Sequence, residues 1–346
     1  MTEKPDPART AYFSRLDMLS SRAMSLSGQV GQVSRRIYGT EELLNGLPTR
    51  IQQIRRMNYR VLSNLEKDQS ALADRWASTG PGVKEIINAN TPFVSSEIRV
   101  LESELAQRRM DTAYDAGRLA SIEMKVAAIM SRVSDINSKV SGAMGDVESR
   151  LQQINEDVAV AERTTSLVSN ASFQWKEGES PVLSVSAKDL NNDLHGFLTL
   201  TNQRFLYEVE KEIVLKKRLF IATEKKKVRE TVVDKPIGAV DDITKGRVGL
   251  LAGQGLYIKL KPQTGVPEMK LDTSGEDADL VLRFNGFISS GEADRELASA
   301  QEINVEKEKP VPVVCPRCGA PYIDEIFRGQ ISVQCRYCST SIPIQR

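Results

Sequence analysis

The first half of the chain carries apolar residues at alternating steps of three and four positions, a spacing typical of helices that pack along a seam. One seam runs from Leu16 to Leu72, and a second runs from Leu119 to Ala161. Asn58 falls on the first seam, where it would either fix the register of packing or lie at a solvent-accessible position. The pattern predicts long helices that associate lengthwise.

We assign a helical coiled-coil region to residues 10–170, after a disordered tail at residues 1–9. Glycine and proline residues predict breaks near 46–48 and 79–91, because proline removes a helical hydrogen bond and crowds the preceding turn. The proline-free remainder predicts one long helix over residues 92–169. Such a helix cannot bury its apolar stripe on itself, so we expect it to pack on the earlier helices, on another copy of the chain, or on both.

The following segment, residues 173–288, alternates apolar and polar positions with a period of two, and turn-forming residues separate many of the runs. Short strands with a closing helix predict a small barrel or sandwich. The strand candidates are Val182–Val185, Gly196–Thr201, Arg204–Glu210, Leu219–Ala222, Val228–Val233, Gly255–Lys261, Glu268–Asp272 and Leu280–Phe284.

Two motifs in this segment resemble a known family. The run Gly196–Arg204, which reads G-F-L-T-L-T-N-Q-R, resembles the second-strand hairpin of GRAM and bacterial PH-like domains. Pro236–Ile243, followed by Gly246–Arg247, resembles one of their later strands. The resemblance implies a small β-barrel capped by a helix that begins near Ser289. We therefore assign residues 173–300 to a PH/GRAM-like β domain with a C-terminal helix.

The same region contains one strongly basic segment, residues 211–229, in which eight Lys and Arg residues stand against two Glu residues. One interpretation is an anion or partner patch for a lipid headgroup, a nucleic-acid backbone or an acidic protein. The other, favoured by the apolar residues between the charges, is a solvated hairpin whose lysines protect strand edges. The candidate patch residues are Lys216, Lys217, Arg218, Lys225, Lys226, Lys227 and Arg229.

All four cysteines lie near the C-terminus, as two C-x2-C pairs separated by sixteen residues. This spacing predicts one tetrathiolate site for a single structural Zn²⁺ ion, because each pair forms a tight turn that directs two sulfurs to one point. Two local disulfides, a redox pair and an iron site are the alternatives. The predicted ligands are Cys315, Cys318, Cys335 and Cys338.

The residues around the first pair, Cys315–Gly319, read C-P-R-C-G and resemble the zinc-ribbon family. In the second pair, Arg336 and Ser339 replace the Pro and Gly that are common there, which leaves the tightness of the second turn open. We assign residues 313–346 to a zinc ribbon and residues 301–312 to a linker. Members of the family bind nucleic acid, bind proteins or stabilise a terminus, so the resemblance does not select a function.

Net charge, cysteine usage and the absence of catalytic motifs limit the classes of function that we expect. The net charge is +1, which creates no overall field toward nucleic acid or anionic lipid. The N-terminus lacks the apolar segment of a secretory signal, and free thiols suit a reducing compartment, so we expect a cytoplasmic protein. The single histidine, His195, stands beside a turn without a catalytic motif, and no nucleotide-binding or metalloprotease motif is present.

These observations predict a multidomain α + β protein that is not an enzyme. We expect a cytoplasmic scaffold or adaptor that forms a homo-oligomer through its heptad helices, docks through a PH-like domain and recognises a protein partner with its zinc ribbon. One alternative is a nucleic-acid-binding zinc-ribbon protein, which is less favoured because the charge of a zinc tetrathiolate cancels the few arginines around it. The other is a peripheral membrane protein that binds anionic lipid through the PH-like domain.

Overall fold

The structure of the protein is a computed structural model of mixed α + β class. The structure describes residues 7–110, 115–218, 221–248, 253–266, 268–300, 314–321, 330 and 332–343. Within these ranges, only the backbone is described at residues 214–218, 221–226, 298–300 and 343. The chain divides into two compact units, the first comprising Met1–Pro48 and Glu66–Asn155 and the second comprising Thr49–Leu65 and Glu156–Arg346.

Three long helices dominate the N-terminal half: α1 over Pro7–Arg56, α2 over Leu65–Met110 and α3 over Ala116–Val168. Ion pairs show that α2 runs antiparallel to the other two helices, whereas α1 and α3 run parallel. These pairs are Asp17–Arg109 and Glu41–Lys84 between α1 and α2, Glu97–Arg132 and Glu104–Lys125 between α2 and α3, and Arg15–Glu123 and Arg36–Glu148 between α1 and α3.

The apolar seam predicted from the sequence forms the core of this three-helix bundle. Its residues lose nearly all contact with solvent within a single chain, and Leu16, Leu47, Ile122, Val140 and Val147 are completely buried. The seam therefore needs no second copy to cover it.

The breaks predicted from glycine and proline are wrong, because the helices continue through these positions. Pro48 lies inside α1, and Pro81 and Pro92 lie inside α2. An interior proline costs about 3 kcal/mol in a helix. A break at Pro48 would expose the seam residues on either side of it, Leu47 and Ile51, which are buried. Burial along the seam therefore outweighs the local cost.

The observed ends of the helices differ from the predicted ends. The predicted helix over 92–169 is two helices, since α2 ends at Met110 and α3 begins at Ala116. The Asp115 carboxylate accepts hydrogen bonds from the backbone N–H groups of Gly117 and Arg118, at 2.9 and 3.2 Å, and so caps α3. At the other end of the chain, α1 already begins at Pro7, so the last residues of the predicted tail are helical. The rest of that tail and the predicted linker lie outside the described residues.

The connection between α1 and α2, residues 57–64, contains Asn58 in the left-handed region with a φ of 64°. Asparagine tolerates this conformation better than most residues. The backbone carbonyl of Asn58 accepts a hydrogen bond from Ser180 Oγ at 2.9 Å, and the Asn58 side-chain amide donates to the backbone carbonyl of Glu179 at 3.2 Å. Asn58 therefore joins the connection to the β domain and occupies neither of the seam roles predicted for it.

The second unit is built on an antiparallel sheet of seven strands in the order β4-β3-β2-β1-β7-β6-β5. The described strands form an open sheet with β4 and β5 at its edges, so the predicted closed barrel is not observed. The strands are β1 Pro181–Asp189, β2 Leu194–Thr201, β3 Arg204–Arg218, β4 Ile221–Pro236, β5 Val240–Val248, β6 Gly253–Leu260 and β7 Met269–Asp272.

The sheet is followed by α4 over Gly275–Ser289, which contacts β1, β5 and β6, and by α5 over Glu292–Ala300. The prediction of a strand over Leu280–Phe284 is wrong, because these residues lie inside α4. A helix does begin near Ser289, as predicted, since α5 begins at Glu292, but the helix that contacts the sheet is α4. Ser274 Oγ accepts a hydrogen bond from the Asp277 N–H at 3.0 Å and caps α4. The apolar residues follow a helical spacing and are buried at Ala278, Val281, Phe284 and Ile288.

Candidate metal centre

The C-terminal module is a short hairpin that carries the two cysteine pairs. Strand β8, Ser332–Gln334, pairs with β9, Ser341–Pro343, and Val314 pairs with Pro321 in an isolated bridge. Its small core contains two of the four cysteines. The buried residues of this core are Cys315, Val333, Cys335 and Ile342.

The two C-x2-C turns have the same backbone hydrogen bonds. In each turn the first cysteine accepts a bond from the residue four positions later and donates to the residue five positions later, over distances between 2.8 and 3.0 Å. The bonds are Gly319 to Cys315 and Cys315 to Ala320 in the first turn, and Ser339 to Cys335 and Cys335 to Thr340 in the second. The turns thus present two sulfurs each in equivalent geometry.

The four sulfur atoms form one compact cluster, within 4.8 Å of one another. Cys315 Sγ lies 3.7 Å from Cys338 Sγ, and Cys318 Sγ lies 3.6 Å from Cys335 Sγ. Four sulfurs about 2.3 Å from a central zinc ion would stand about 3.8 Å apart, so the cluster has the dimensions of a tetrahedral site. All four cysteines are free thiols. The predicted ligand set is therefore brought together, and it could hold one metal ion.

The environment changes the acidity of the individual thiols. A backbone hydrogen bond with Ala320 favours ionisation of Cys318, but burial and the neighbouring sulfurs outweigh it and raise its pKa to about 12. Hydrogen bonds with the side chain and backbone of Thr340 lower the pKa of Cys338 to about 6. The pKa of Cys315 is also lowered, first by a backbone hydrogen bond with Cys318, so the shifts differ in sign within the cluster. A bound cation deprotonates the thiols that coordinate it.

The second turn is as tight as the first, although it lacks the usual glycine. Gly319 has a φ of 70°, and Ser339 adopts the left-handed region as well, with a φ of 55°. Glycine enters this region freely, whereas an L-residue with a side chain loses about 1–2 kcal/mol there. The departure from the family pattern at Ser339 thus changes the stability of the turn and leaves its geometry intact.

The predicted basic patch lies on the hairpin of β3 and β4. Lys227 Nζ donates to Glu210 at 2.6 Å, and Lys211 pairs with Glu230 across the same strands. The hydrogen bond with Glu210 raises the pKa of Lys227. These lysines are matched by carboxylates, as expected for a solvated hairpin. The side chains outside the described set are those of Lys216, Lys217, Arg218, Lys225 and Lys226.

Arg229, also predicted as part of the patch, is turned inward. Its guanidinium carbon lies 3.6 Å from the centre of the Phe197 ring, and its side chain is 13% exposed. It donates to the Leu167 carbonyl in the last turn of α3 and lies 3.9 Å from the Glu208 carboxylate. Burial lowers the pKa of Arg229. The charge therefore stabilises a helix end and compensates a buried carboxylate.

The motif over residues 196–204 contains a buried ion pair that sequence reasoning did not recognise. Arg204 donates to both oxygens of Glu179 at 2.8 and 2.7 Å and to Asp234 at 2.6 Å. Burial favours the neutral form of Glu179, but hydrogen bonds from Arg204, Lys176 and Thr201 outweigh it, and its pKa is lowered. The Arg at the end of the motif is thus a structural residue.

The other residues of the motif also serve packing. A Cβ atom on Gly196 would lie 1.9 Å from the Glu208 carbonyl oxygen, so only glycine fits there. Asn202 Oδ1 accepts from the Ser180 N–H at 2.9 Å, which ties the hairpin to the segment before β1. His195 is exposed and stands opposite Lys188 in the sheet register. Within the described part of the chain, the cysteine cluster is the one group of residues with metal-site geometry.

No protein-family model matches the chain, and a search of curated proteins returns no match. Among the helices that the structure describes, none combines the length and apolar character needed to cross a membrane.

Proposed function

We propose that the protein is a non-catalytic scaffold or adaptor whose C-terminal ribbon is folded by one zinc ion and recognises a protein partner. The observation that supports this most directly is the clustering of the four cysteine sulfurs within 4.8 Å, with two separations, 3.7 and 3.6 Å, close to those of a tetrahedral site. Zinc held by four thiolates has no open coordination position, so it supplies folding energy and no catalytic step.

Zinc is favoured over iron because a closed set of four thiolates on paired turns is a frequent structural zinc site in proteins without redox function. The ligands would be Cys315, Cys318, Cys335 and Cys338. Cys318 is exposed and Cys338 is partly exposed, so the ion would lie near the surface of the ribbon. Residues that flank the ligands would then be displayed outward around it.

The outward residues of the two turns favour protein recognition. Tyr337 is 71% exposed, and Arg317 and Arg336 are exposed beside the ligands. Arg317 donates to Thr340 Oγ1 at 3.2 Å, which orders its side chain across both turns. Tyrosine and arginine are the residue types most enriched at the energetic centres of protein interfaces. We infer that this face of the ribbon contacts the partner.

The β domain would supply a second docking element. Seven sequential antiparallel strands followed by a helix against β1, β5 and β6 support the resemblance to PH/GRAM-like domains. Binding of anionic lipid through the basic hairpin is less favoured, because the described basic residues there are matched by Glu210 and Glu230 or buried. Protein docking is therefore the simpler role for this domain.

The test compares full-length wild-type protein with Cys318→Ser and Tyr337→Ala. We expect about one zinc ion per wild-type chain and loss of the ion in Cys318→Ser. We expect Tyr337→Ala to keep the ion but to lose the partner captured by wild type. If partner capture survives both substitutions, the ribbon does not recognise it. Salt-sensitive binding of single-stranded RNA, or flotation with anionic vesicles, would instead favour the other two classes.

A further inference from the structure

An apolar groove runs along the bundle between α2 and α3. It has a volume of about 320 Å³ and is lined by Phe93, Val100, Leu101 and Ile129, among other residues. Leu101 and Ile129 form its floor and belong to the buried seam, whereas Phe93 is 56% exposed and Val100 is 63% exposed. Two large apolar side chains therefore stand beside an apolar floor without cover from the described part of the chain.

The groove lies at the most apolar end of the bundle, which we call the bundle tip and define as residues 7–30, 93–110 and 116–132. The exposed large apolar residues of the tip are Met18, Met24, Phe93, Val100, Met110, Met124 and Met130. In the remainder of the first unit, the described residues of this kind are Tyr38 and Leu43. Of these residues, Phe93 and Val100 line the groove, whereas Met24 and Met110 line a separate hollow between α1 and α2. Exposed apolar side chains on a groove with an apolar floor are typical of an interaction surface.

The two edges of the groove have opposite charge. Glu97 and Glu104 lie seven positions apart on α2, and Lys125 and Arg132 lie seven positions apart on α3. Lys125 pairs with Glu104 at 2.7 Å, and Arg132 pairs with Glu97. The Arg132 guanidinium also lies 5.2 Å from the centre of the Phe93 ring. The groove thus has an acidic edge on α2 and a basic edge on α3.

We propose that a second copy of this chain docks on the groove, with its helices parallel to those of the first. A two-fold axis along the groove places the acidic α2 edge of one copy opposite the basic α3 edge of the other. A two-fold axis across the helices would place like charges opposite each other, which disfavours the antiparallel arrangement. Contact between the copies would cover Phe93 and Val100, the two exposed residues of the groove.

This inference goes beyond the proposed function, because it involves neither the cysteine cluster nor the β domain. It also differs from the association expected from the heptads, since the heptad seam is already buried within each chain. The interface uses outward positions of α2 and α3 instead.

Sedimentation velocity of the full-length protein over a range of concentrations tests the proposal. We expect a monomer–dimer equilibrium that Val100→Lys weakens about tenfold or more, because an ammonium group would be buried in the interface opposite the basic α3 edge of the other copy. The matched control is Tyr38→Lys, which alters a residue that is 69% exposed outside the bundle tip. We expect the control to associate like wild type, and circular dichroism should show native helix content in both variants.

A charge exchange tests the orientation. The double variant Glu104→Lys with Lys125→Glu keeps an ion pair within each chain and should still dimerise with itself. Mixed with wild type, it should form fewer heterodimers than the statistical share, because both contacts between positions 104 and 125 of the two copies would then bring like charges together. A wild-type chain that stays monomeric throughout, including one that binds vesicles or another protein instead, overturns the proposal. Equal weakening by Val100→Lys and Tyr38→Lys, or free mixing of the charge-exchanged chain with wild type, does so as well.

Discussion

Ser339 repeats the backbone conformation of Gly319 at the equivalent position of the other cysteine turn, with φ values of 55° and 70°. Because Ser339 has a Cβ atom, the second turn carries a local cost that the first turn does not. The two turns make the same backbone hydrogen bonds, so exchanging glycine and serine at this position tests the cost of the side chain in a matched backbone.

We expect Ser339→Gly to strengthen metal binding by about 1 kcal/mol, or roughly fivefold in affinity, by removing the cost of the left-handed conformation. Competition between the full-length protein and a chromophoric zinc chelator measures this change. Gly319→Ser is the matched control and should weaken binding by a similar amount. Equal affinities in all three proteins would show that the turn conformation does not limit metal binding.

Removal of the metal should unfold the ribbon alone. The small core of the module consists largely of the ligands and two apolar residues, Val333 and Ile342, so little remains to hold it without the ion. We expect a strong chelator to make residues 314–343 sensitive to protease and to rapid hydrogen exchange. The helices α1–α3 serve as the internal control and should keep their protection. Unchanged protection of the ribbon would contradict a folding role for the metal.

The Glu179–Arg204 pair should be essential to the β domain. Both residues are buried, and Arg204→Met would leave the Glu179 carboxylate without its main partner. We expect a loss of about 3–5 kcal/mol in the free energy of unfolding, measured by denaturant titration. Asp193→Asn, which removes the exposed Lys188–Asp193 pair, is the control and should have no measurable effect. Similar small effects of both substitutions would refute the structural role of the pair.

Low pH should weaken the Glu179–Arg204 ion pair. The pKa of Glu179 is lowered in the folded protein, so its ionised form stabilises the fold. This contribution is complete above the unfolded-state pKa of about 4.3 and is lost as the pH falls through the lower folded pKa. We expect Glu179→Gln to flatten the acid limb of the stability curve of the β domain. A curve with an unchanged acid limb would show that Glu179 does not drive the loss.

Two helical glycines should respond to alanine in opposite ways. A Cβ atom on Gly80 would lie 2.8 Å from the ring of Trp76, whose Nε1 donates to Glu41 at 3.1 Å, so Gly80→Ala should destabilise the bundle. A Cβ atom on Gly142 would meet open space, so Gly142→Ala should stabilise α3 by up to about 1 kcal/mol. Thermal unfolding of the two variants gives the comparison. A shift of the unfolding temperature in the same direction for both variants would contradict the expected clash between a Cβ atom at position 80 and the Trp76 ring.

Local patterns in the sequence predicted the cysteine cluster and most of the strands. The cysteine spacing predicted one four-sulfur cluster because each C-x2-C turn is closed by hydrogen bonds within six residues. Most strands were found because alternation identifies the buried face of a sheet. The sequence also carried the signal for α4, because Ser274 precedes apolar residues spaced three and four positions apart. The short apolar run within this helix was nevertheless predicted to be a strand.

The sequence by itself determined the seam residues, the cysteine cluster and the succession of a helical half, a β-rich segment and a cysteine module, because these follow from repeats and turns that act over a few residues. Only the tertiary structure decided that helices continue through Pro48, Pro81 and Pro92 and that Asn58 meets Ser180 in the β domain. It also decided that Arg229 turns inward to the end of α3. The physical reason is that burial and charge compensation depend on partners far apart in the chain, and their free energies exceed the local costs on which sequence reasoning relies.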